Sequence, residues 1–254
     1  MALPCELSSP VDPVNSTRPD STLDFERFDA LSFDCYGTLI DWEAGILASL
    51  TPLLETNGIV GQPEQELLER FGRLESQAER GPFRSYRAVL TDVARGFGRH
   101  FGFVPTRAEL AAFAASVGDW PVFADTIAAL RALQTRYRLA VVSNVDDDLF
   151  ARSAQRIGVE FSEVVTAQQV SAYKPGPKHF HEVLERLRLP CDRLLHVAQS
   201  LYHDIAPARS LGISCVWVNR RAGKAGGGAT KPSTARPDYA VPDLRTLVEE
   251  MGLG

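Results

Sequence analysis

An apolar run that stops at a single carboxylate constrains this chain more than any other feature. Leu31-Ser32-Phe33 leads to Asp34, and Cys35-Tyr36-Gly37-Thr38-Leu39 turns away at once. A buried strand ending this way delivers one acid to the rim of a parallel sheet. Open α/β sheets bind ligands outside the carboxyl ends of their strands, where a carboxylate can act as a covalent nucleophile. Four more short apolar runs follow: Leu139 to Val142, Glu163 to Thr166, Leu194 to Ala198 and Ser214 to Val218. Helical patterns such as Leu149 to Ile157 and Lys178 to Leu187 separate them. With Ala30 to Phe33, these runs predict an α/β fold with a doubly wound parallel sheet, a Rossmann-like core.

The gap between the first two runs is too long for a simple crossover. Residues 43–119 carry apolar positions at three- and four-residue steps, as in Ile46-Leu47-Leu50-Leu53-Leu54 and Tyr86-Val89-Leu90-Val93-Phe97. Thr51-Pro52, Gly81-Pro82 and Val104-Pro105 punctuate them. The spacing predicts an inserted helical cap over the carboxyl edge of the sheet, with the core formed by residues 23–42 and 120–254. Residues 1–22 hold four prolines but neither a basic start nor an apolar stretch, which reads as a flexible tail rather than a secretory signal. Residues 221–237, rich in Gly, Ala and Lys, read as a flexible loop. Asp238 to Met251 predicts a short strand and a terminal helix.

The length of 254 residues suits one core with an inserted domain, and a net charge of −5 offers no basic footprint for nucleic acid or an acidic membrane. No apolar run is long enough to span a bilayer. Cys5, Cys35, Cys191 and Cys215 form no CxxC pair and read as reduced thiols of a cytoplasmic protein.

Four loops, each after a predicted strand, gather at one edge of the sheet: Asp34 to Thr38, Ser143-Asn144, Lys174-Pro175 and Gln199 to Asp204. Each has a plainer reading. Ser-Asn after a strand caps helices, Lys-Pro makes surface turns, Tyr36 could simply pack under the cap, and Cys35 could fill the loop. The order and spacing of all four point instead to a catalytic edge.

These motifs resemble the haloacid dehalogenase superfamily of hydrolases, over about Phe28 to Leu247 and including the helical cap. The chain is most similar to the 2-haloacid dehalogenase (type II) branch, because Asp34-Cys35-Tyr36-Gly37-Thr38 has Tyr where phosphatases of the superfamily carry a second Asp. That second Asp protonates a departing alkoxide, whereas a halide leaves without a proton. The resemblance implies a metal-independent hydrolase that cleaves the carbon–halogen bond of a small 2-haloalkanoic acid through an aspartyl ester on Asp34. It implies Lys174 as charge partner, Thr38 and Asp204 as supporting catalytic residues, and Cys35, Tyr36, Ser143, Asn144, Ser200 and His203 around the substrate. His203 is open to a packing role or a role as base. A cap arginine is expected, with Arg73 the leading candidate and Arg84 and Arg87 the alternatives.

No cofactor and no metal ligand follow from the dehalogenase pattern. Mg²⁺ enters only if the chain is a phosphatase, and Gln199 then stands where the first acid of the fourth motif is usual. Other outcomes open at this stage are cleavage of a C–N or C–F bond by the same route and a non-catalytic metabolite-binding relative. The expected partner is a small carboxylic acid, and the resemblance leaves a homodimer open.

Overall fold

The computed structural model describes residues 23–223 and 228–254. The tail expected at residues 1–22 lies outside the described residues. Six strands form one parallel sheet: β1 (Ala30–Phe33), β2 (Arg138–Ser143), β3 (Glu163–Thr166), β4 (Leu194–Ala198), β5 (Ser214–Val218) and β6 (Tyr239–Val241), in the spatial order β3-β2-β1-β4-β5-β6. All four residues of β1 and all five of β4 are buried. Parallel strands covered on both faces read as near-continuous apolar runs, which is why these segments were conspicuous in the sequence. The order reverses at β1, whose two neighbours lead away in opposite directions. A crevice therefore opens at the carboxyl ends of β1 and β4, the position where doubly wound sheets bind ligands.

Between β1 and β2 the inserted segment carries α1 (Trp42–Thr56), α2 (Glu64–Ala78), α3 (Tyr86–Phe101) and α4 (Arg107–Ala115). On α2, Leu67, Leu68 and Phe71 are buried on one stripe, and Glu75 continues it. Ser85 caps α3 through its side chain, and Thr106 with Glu109 forms a capping box on α4. The remaining helices flank the sheet: α5 (Thr126–Leu133), α6 (Asp147–Ile157), α7 (Ala167–Val170), α8 (Lys178–Leu187), α9 (Ala206–Ser210) and α10 (Leu244–Glu250). A single π-helical turn, Leu201–Ile205, precedes α9.

The cap is fastened to the core close to the crevice. Buried Asp146, just after β2, accepts hydrogen bonds from the backbone of Tyr86 (2.8 Å) and Arg87 (2.9 Å) at the start of α3. Its carboxylate thereby satisfies two amides that a helix start leaves without partners. The Tyr173 hydroxyl donates to the carbonyl of Arg84 at 2.9 Å.

The segment expected to be a flexible loop behaves differently where it is described. Gly228 and Ala229 are buried, and a β-carbon at Gly72 of α2 would lie 2.1 Å from the carbonyl oxygen of Ala229. The Arg221–Glu43 ion pair holds the start of this segment to α1. The small residues that read as flexibility instead let two backbones approach closely. Residues 224–227 of that loop are outside the described residues.

Candidate active site

Asp34 extends the β1 ladder by one residue, its amide donating to Val197 at 3.2 Å, and its side chain then enters the crevice. The loop after it is tight because the carbonyl of Cys35 accepts the amides of Leu39 (2.8 Å) and Ile40 (2.9 Å). Gly37 has φ +98°, and a β-carbon there would sit 3.1 Å from the Trp42 indole nitrogen. The turn returns Thr38 to Asp34, so that its hydroxyl donates to Asp34 Oδ2 at 2.9 Å while accepting the Gln199 amide at 2.9 Å.

Lys174, buried to 1%, has its ammonium fully committed. It donates to Asp34 Oδ1 (2.9 Å), to the Val142 carbonyl (2.8 Å) and to Asp204 Oδ1 (2.6 Å). An ammonium offers three donors, so these bonds exhaust it. Asn144 fixes the lysine backbone, its amide nitrogen donating to the Lys174 carbonyl at 3.1 Å and its oxygen accepting the Lys174 amide at 2.7 Å. Asn144, expected to bind substrate, lines the chamber and also holds the lysine backbone.

A second line of support lies inside the sheet. His196 of β4 sits 3.1 Å from Asp204 Oδ1 through Nε2 and 2.9 Å from the Ser32 hydroxyl through Nδ1. Ser32 and His196 are register partners across β1 and β4. Sequence reasoning missed both. The available signal was a pair of polar residues at matching places in two otherwise apolar strands.

The electrostatics follow from one ammonium between two buried carboxylates. Burial alone would raise the pKa of Asp204, but the Lys174 charge and the His196 hydrogen bond outweigh it and hold the acid well below the usual range. For Asp34, burial dominates and raises the pKa against the opposing pull of Lys174 and Thr38, with the Asp204 charge adding to the rise. Burial disfavours the ammonium of Lys174, yet the two carboxylates more than compensate and raise its pKa. Asp34 is accordingly a comparatively basic carboxylate, oriented at both oxygens.

These groups open on a small chamber of about 40 Å³, lined from the core by Asp34, Tyr36, Ser143, Ser200, His203 and Asp204. Ser143 is fully buried, and its hydroxyl has no hydrogen-bond partner among the described residues. A buried polar atom without a partner is costly, so this hydroxyl is suited to a bound ligand. Ser200 is 2.9 Å from the His203 amide and 3.2 Å from His203 Nδ1. Burial pushes the His203 imidazole down to about 4, so at neutral pH it is uncharged. The Tyr36 hydroxyl lies 2.9 Å from Ser153 Oγ of α6, and its ring meets Trp120 edge-on.

Two expected residues are elsewhere. The Cys35 side chain is completely buried in the hydrophobic core rather than in the chamber, and burial raises its thiol pKa well above normal. Arg73 is exposed on α2 and does not line the chamber. The cap wall consists instead of Trp42, Glu75 and Glu79, and Thr230 closes it from the 228–231 segment. A wider vestibule of about 360 Å³ adjoins it, sharing Glu79, Lys174 and His203 and adding Arg80 and Lys231. Glu75 was findable: a carboxylate on the buried stripe of an amphipathic helix is the exception that carries information.

The donor set suits a divalent cation poorly. Hard cations take several oxygen ligands, commonly carboxylates. Here Asp34 and Asp204 are already bridged by Lys174, and the neighbouring side chain is the carboxamide of Gln199.

Residues 28–212 match the family model of haloacid dehalogenase-like hydrolases. The chain belongs to this family. It is 32% identical over 109 residues to haloacid dehalogenase-like hydrolase domain-containing protein 3 of Danio rerio, covering 42% of this chain and 45% of that protein. Against (S)-2-haloacid dehalogenase H-109 of Pseudomonas putida it is 24% identical over 199 residues, which is 77% of this chain and 88% of the relative. The match thus spans less than half of the first relative and most of the second. The L-2-haloacid dehalogenase of Xanthobacter autotrophicus shares the fold with a TM-score of 0.74 at 20% identity, over 89% of this chain and 98% of that one.

Proposed function

We propose that this hydrolase displaces halide from a small 2-haloalkanoic acid without a metal, through an ester on Asp34. The observation that carries the reading is the setting of Asp34. It is a basic, doubly oriented carboxylate at the switch point of the sheet, with Tyr36 rather than a second acid two residues on and its hydroxyl beside Ser153. In the first step an Asp34 oxygen attacks the halogen-bearing carbon, the new C–O bond forms, and the carbon–halogen pair leaves as halide. Lys174 stays bonded to the carboxylate as its charge is lost, while Asp204 keeps the ammonium from being left alone. In the second step water adds to the ester carbonyl carbon, and the hydroxy acid departs with Asp34 regenerated. Ser143 offers its free hydroxyl to the substrate, and Tyr36, Ser200 and His203 shape the rest of the core wall.

The test is halide release from 2-bromo- and 2-chloropropionate in chelator, by wild type and Asp34→Asn. Wild type is expected to release halide and the variant to fall to background. A peptide containing Asp34 should gain the mass of the carboxyethyl substituent in rapidly quenched wild type. Release that persists in Asp34→Asn overturns the reading.

A further inference from the structure

Dehalogenation by Asp34 leaves a buried acid of the chamber, Glu75, without a task. Glu75 is 8% exposed, lies on α2 of the cap and faces the same chamber as Asp34. Its Oε1 accepts the Tyr86 hydroxyl at 2.5 Å, which tethers one carboxyl oxygen to α3. No ion pair joins it among the described residues. A buried carboxyl with no ion pair on the wall of the chamber is out of place for a purely structural role, because burying an unpaired charge is costly. The neutral acid avoids that cost and brings a proton to the chamber. The unpartnered Ser143 hydroxyl in the same chamber independently marks it as a place where a ligand is bound.

We propose that Glu75 is the proton donor of this site, hydrogen-bonding as a neutral acid to the group that departs as Asp34 attacks, so that the enzyme handles leaving groups more basic than chloride or bromide. It rests on the reading of Asp34 as nucleophile. The absent second acid at Tyr36 is thereby replaced from the cap. As the Asp34 oxygen bonds to carbon, the C–X pair collapses onto X, which departs as halide while accepting a hydrogen bond from the Glu75 carboxyl. In the second step water attacks the ester carbonyl carbon, one of its protons goes to the departing hydroxy acid, and the other is released to solvent. The sum is R–X plus water giving R–OH, halide and a proton, with Asp34 restored and Glu75 still protonated.

The surroundings agree with this assignment. Burial lifts Glu75 to about 7, against the smaller opposing effect of Tyr86 on α3. Glu79, one turn on, is also raised by burial and by the Glu75 charge, with Lys231 and Lys174 opposing. Across the chamber stand Asp34 and Asp204, with Lys174 committed between them, and His203, uncharged at neutral pH. Tyr173 beside Tyr86 stays protonated, its hydroxyl raised by burial. No cation on this list is bonded to Glu75.

The experiment compares wild type and Glu75→Gln on 2-bromo-, 2-chloro- and 2-fluoropropionate, with Asp34→Asn as control. The kcat loss in Glu75→Gln should steepen with leaving-group basicity, from under about tenfold on bromide to about 10²–10⁴ on fluoride. Wild-type kcat on fluoride should fall as pH rises through about 7, and that limb should vanish in Glu75→Gln. An equal factor for all three halides, or a limb that persists in the variant, overturns the assignment. If Asp34→Asn still turns over, or wild type releases no halide at all, the nucleophile reading fails separately. Glu75 is then judged by bromide-ion titration of both proteins at about pH 6 and about pH 8. Wild type should bind roughly tenfold more tightly at the lower pH and Glu75→Gln equally at both, whereas the same pH ratio in both proteins overturns the role.

Discussion

The two walls of the chamber are built on opposite principles. On the core side every charge is matched: Lys174 spends its three hydrogens on Asp34, Asp204 and a carbonyl, and His196 supports Asp204 from within the sheet. On the cap side Glu75 and Glu79 are acids without an ion pair among the described residues, and one phenol holds Glu75. The core wall is pre-organised, which costs little reorganisation when charge moves during reaction. The cap wall is held away from its comfortable ionisation state. The difference teaches that the setting of Asp34 is fixed by the sheet, whereas the charge facing it across the chamber comes from the helices above.

The contrast breaks most visibly at Lys174. In Lys174→Met two buried carboxylates lose their shared cation, and removing one partner of a buried ionic cluster typically costs about 3–5 kcal/mol. The burial effect on Asp204 would then be opposed by His196 alone, and its pKa should rise from its depressed position. The expected outcome is background turnover together with a large drop in urea midpoint. Near-normal stability would show that the core wall is not held by this charge.

Asp204 on the core wall and Glu75 on the cap wall should also respond to pH with opposite signs. Asp204 has a depressed folded-state pKa, so its contribution to stability is present above its unfolded value and lost as pH falls. Glu75 is raised to about 7 from 4.5, so the folded protein holds that proton more tightly than the unfolded chain. Wild type therefore loses stability as pH rises from about 4.5 to about 7, on the order of 3 kcal/mol from this group. Urea unfolding of wild type and Glu75→Gln on either side of that window checks it. The variant should gain on wild type as pH rises, and a constant difference would mean that Glu75 titrates normally.

The same division governs what could be read from sequence. Strand ends are local: Phe33-Asp34, Val142-Ser143 and Ala198-Gln199 each mark where an apolar run stops, so three of the four loops are assigned to one edge by the sequence itself, while Lys174 lies beyond α7, away from the end of β3. The Ser32–His196 contact is a pairing across 164 residues, and its register appears only when β1 and β4 are side by side. The cap wall is harder still. Which face of α2 looks down depends on how the helix docks, and docking is set by distant contacts such as Asp146 on the start of α3 and Ala229 against Gly72. An arginine was expected from α2 because the resemblance supplied one, and Arg73 lay in the right helix on the wrong face.

That misplacement yields the smallest effect and the sharpest test of the docking. Residues two apart on a helix do not share a face, while those four apart do. Glu75 and Glu79 both line the chamber, so they define the face of α2 turned to Asp34, and Arg73 must point away from it. Its exposure agrees. Arg73→Ala should therefore change stability by no more than about 0.5 kcal/mol, as for surface substitutions generally. KM for 2-chloropropionate should stay within about twofold, because no substrate contact is lost to turn into binding energy. A large rise in KM would mean that α2 turns over when substrate binds and brings Arg73 inward. The acids would then leave the chamber, and the contrast between a saturated core wall and an acidic cap wall would describe the free enzyme alone.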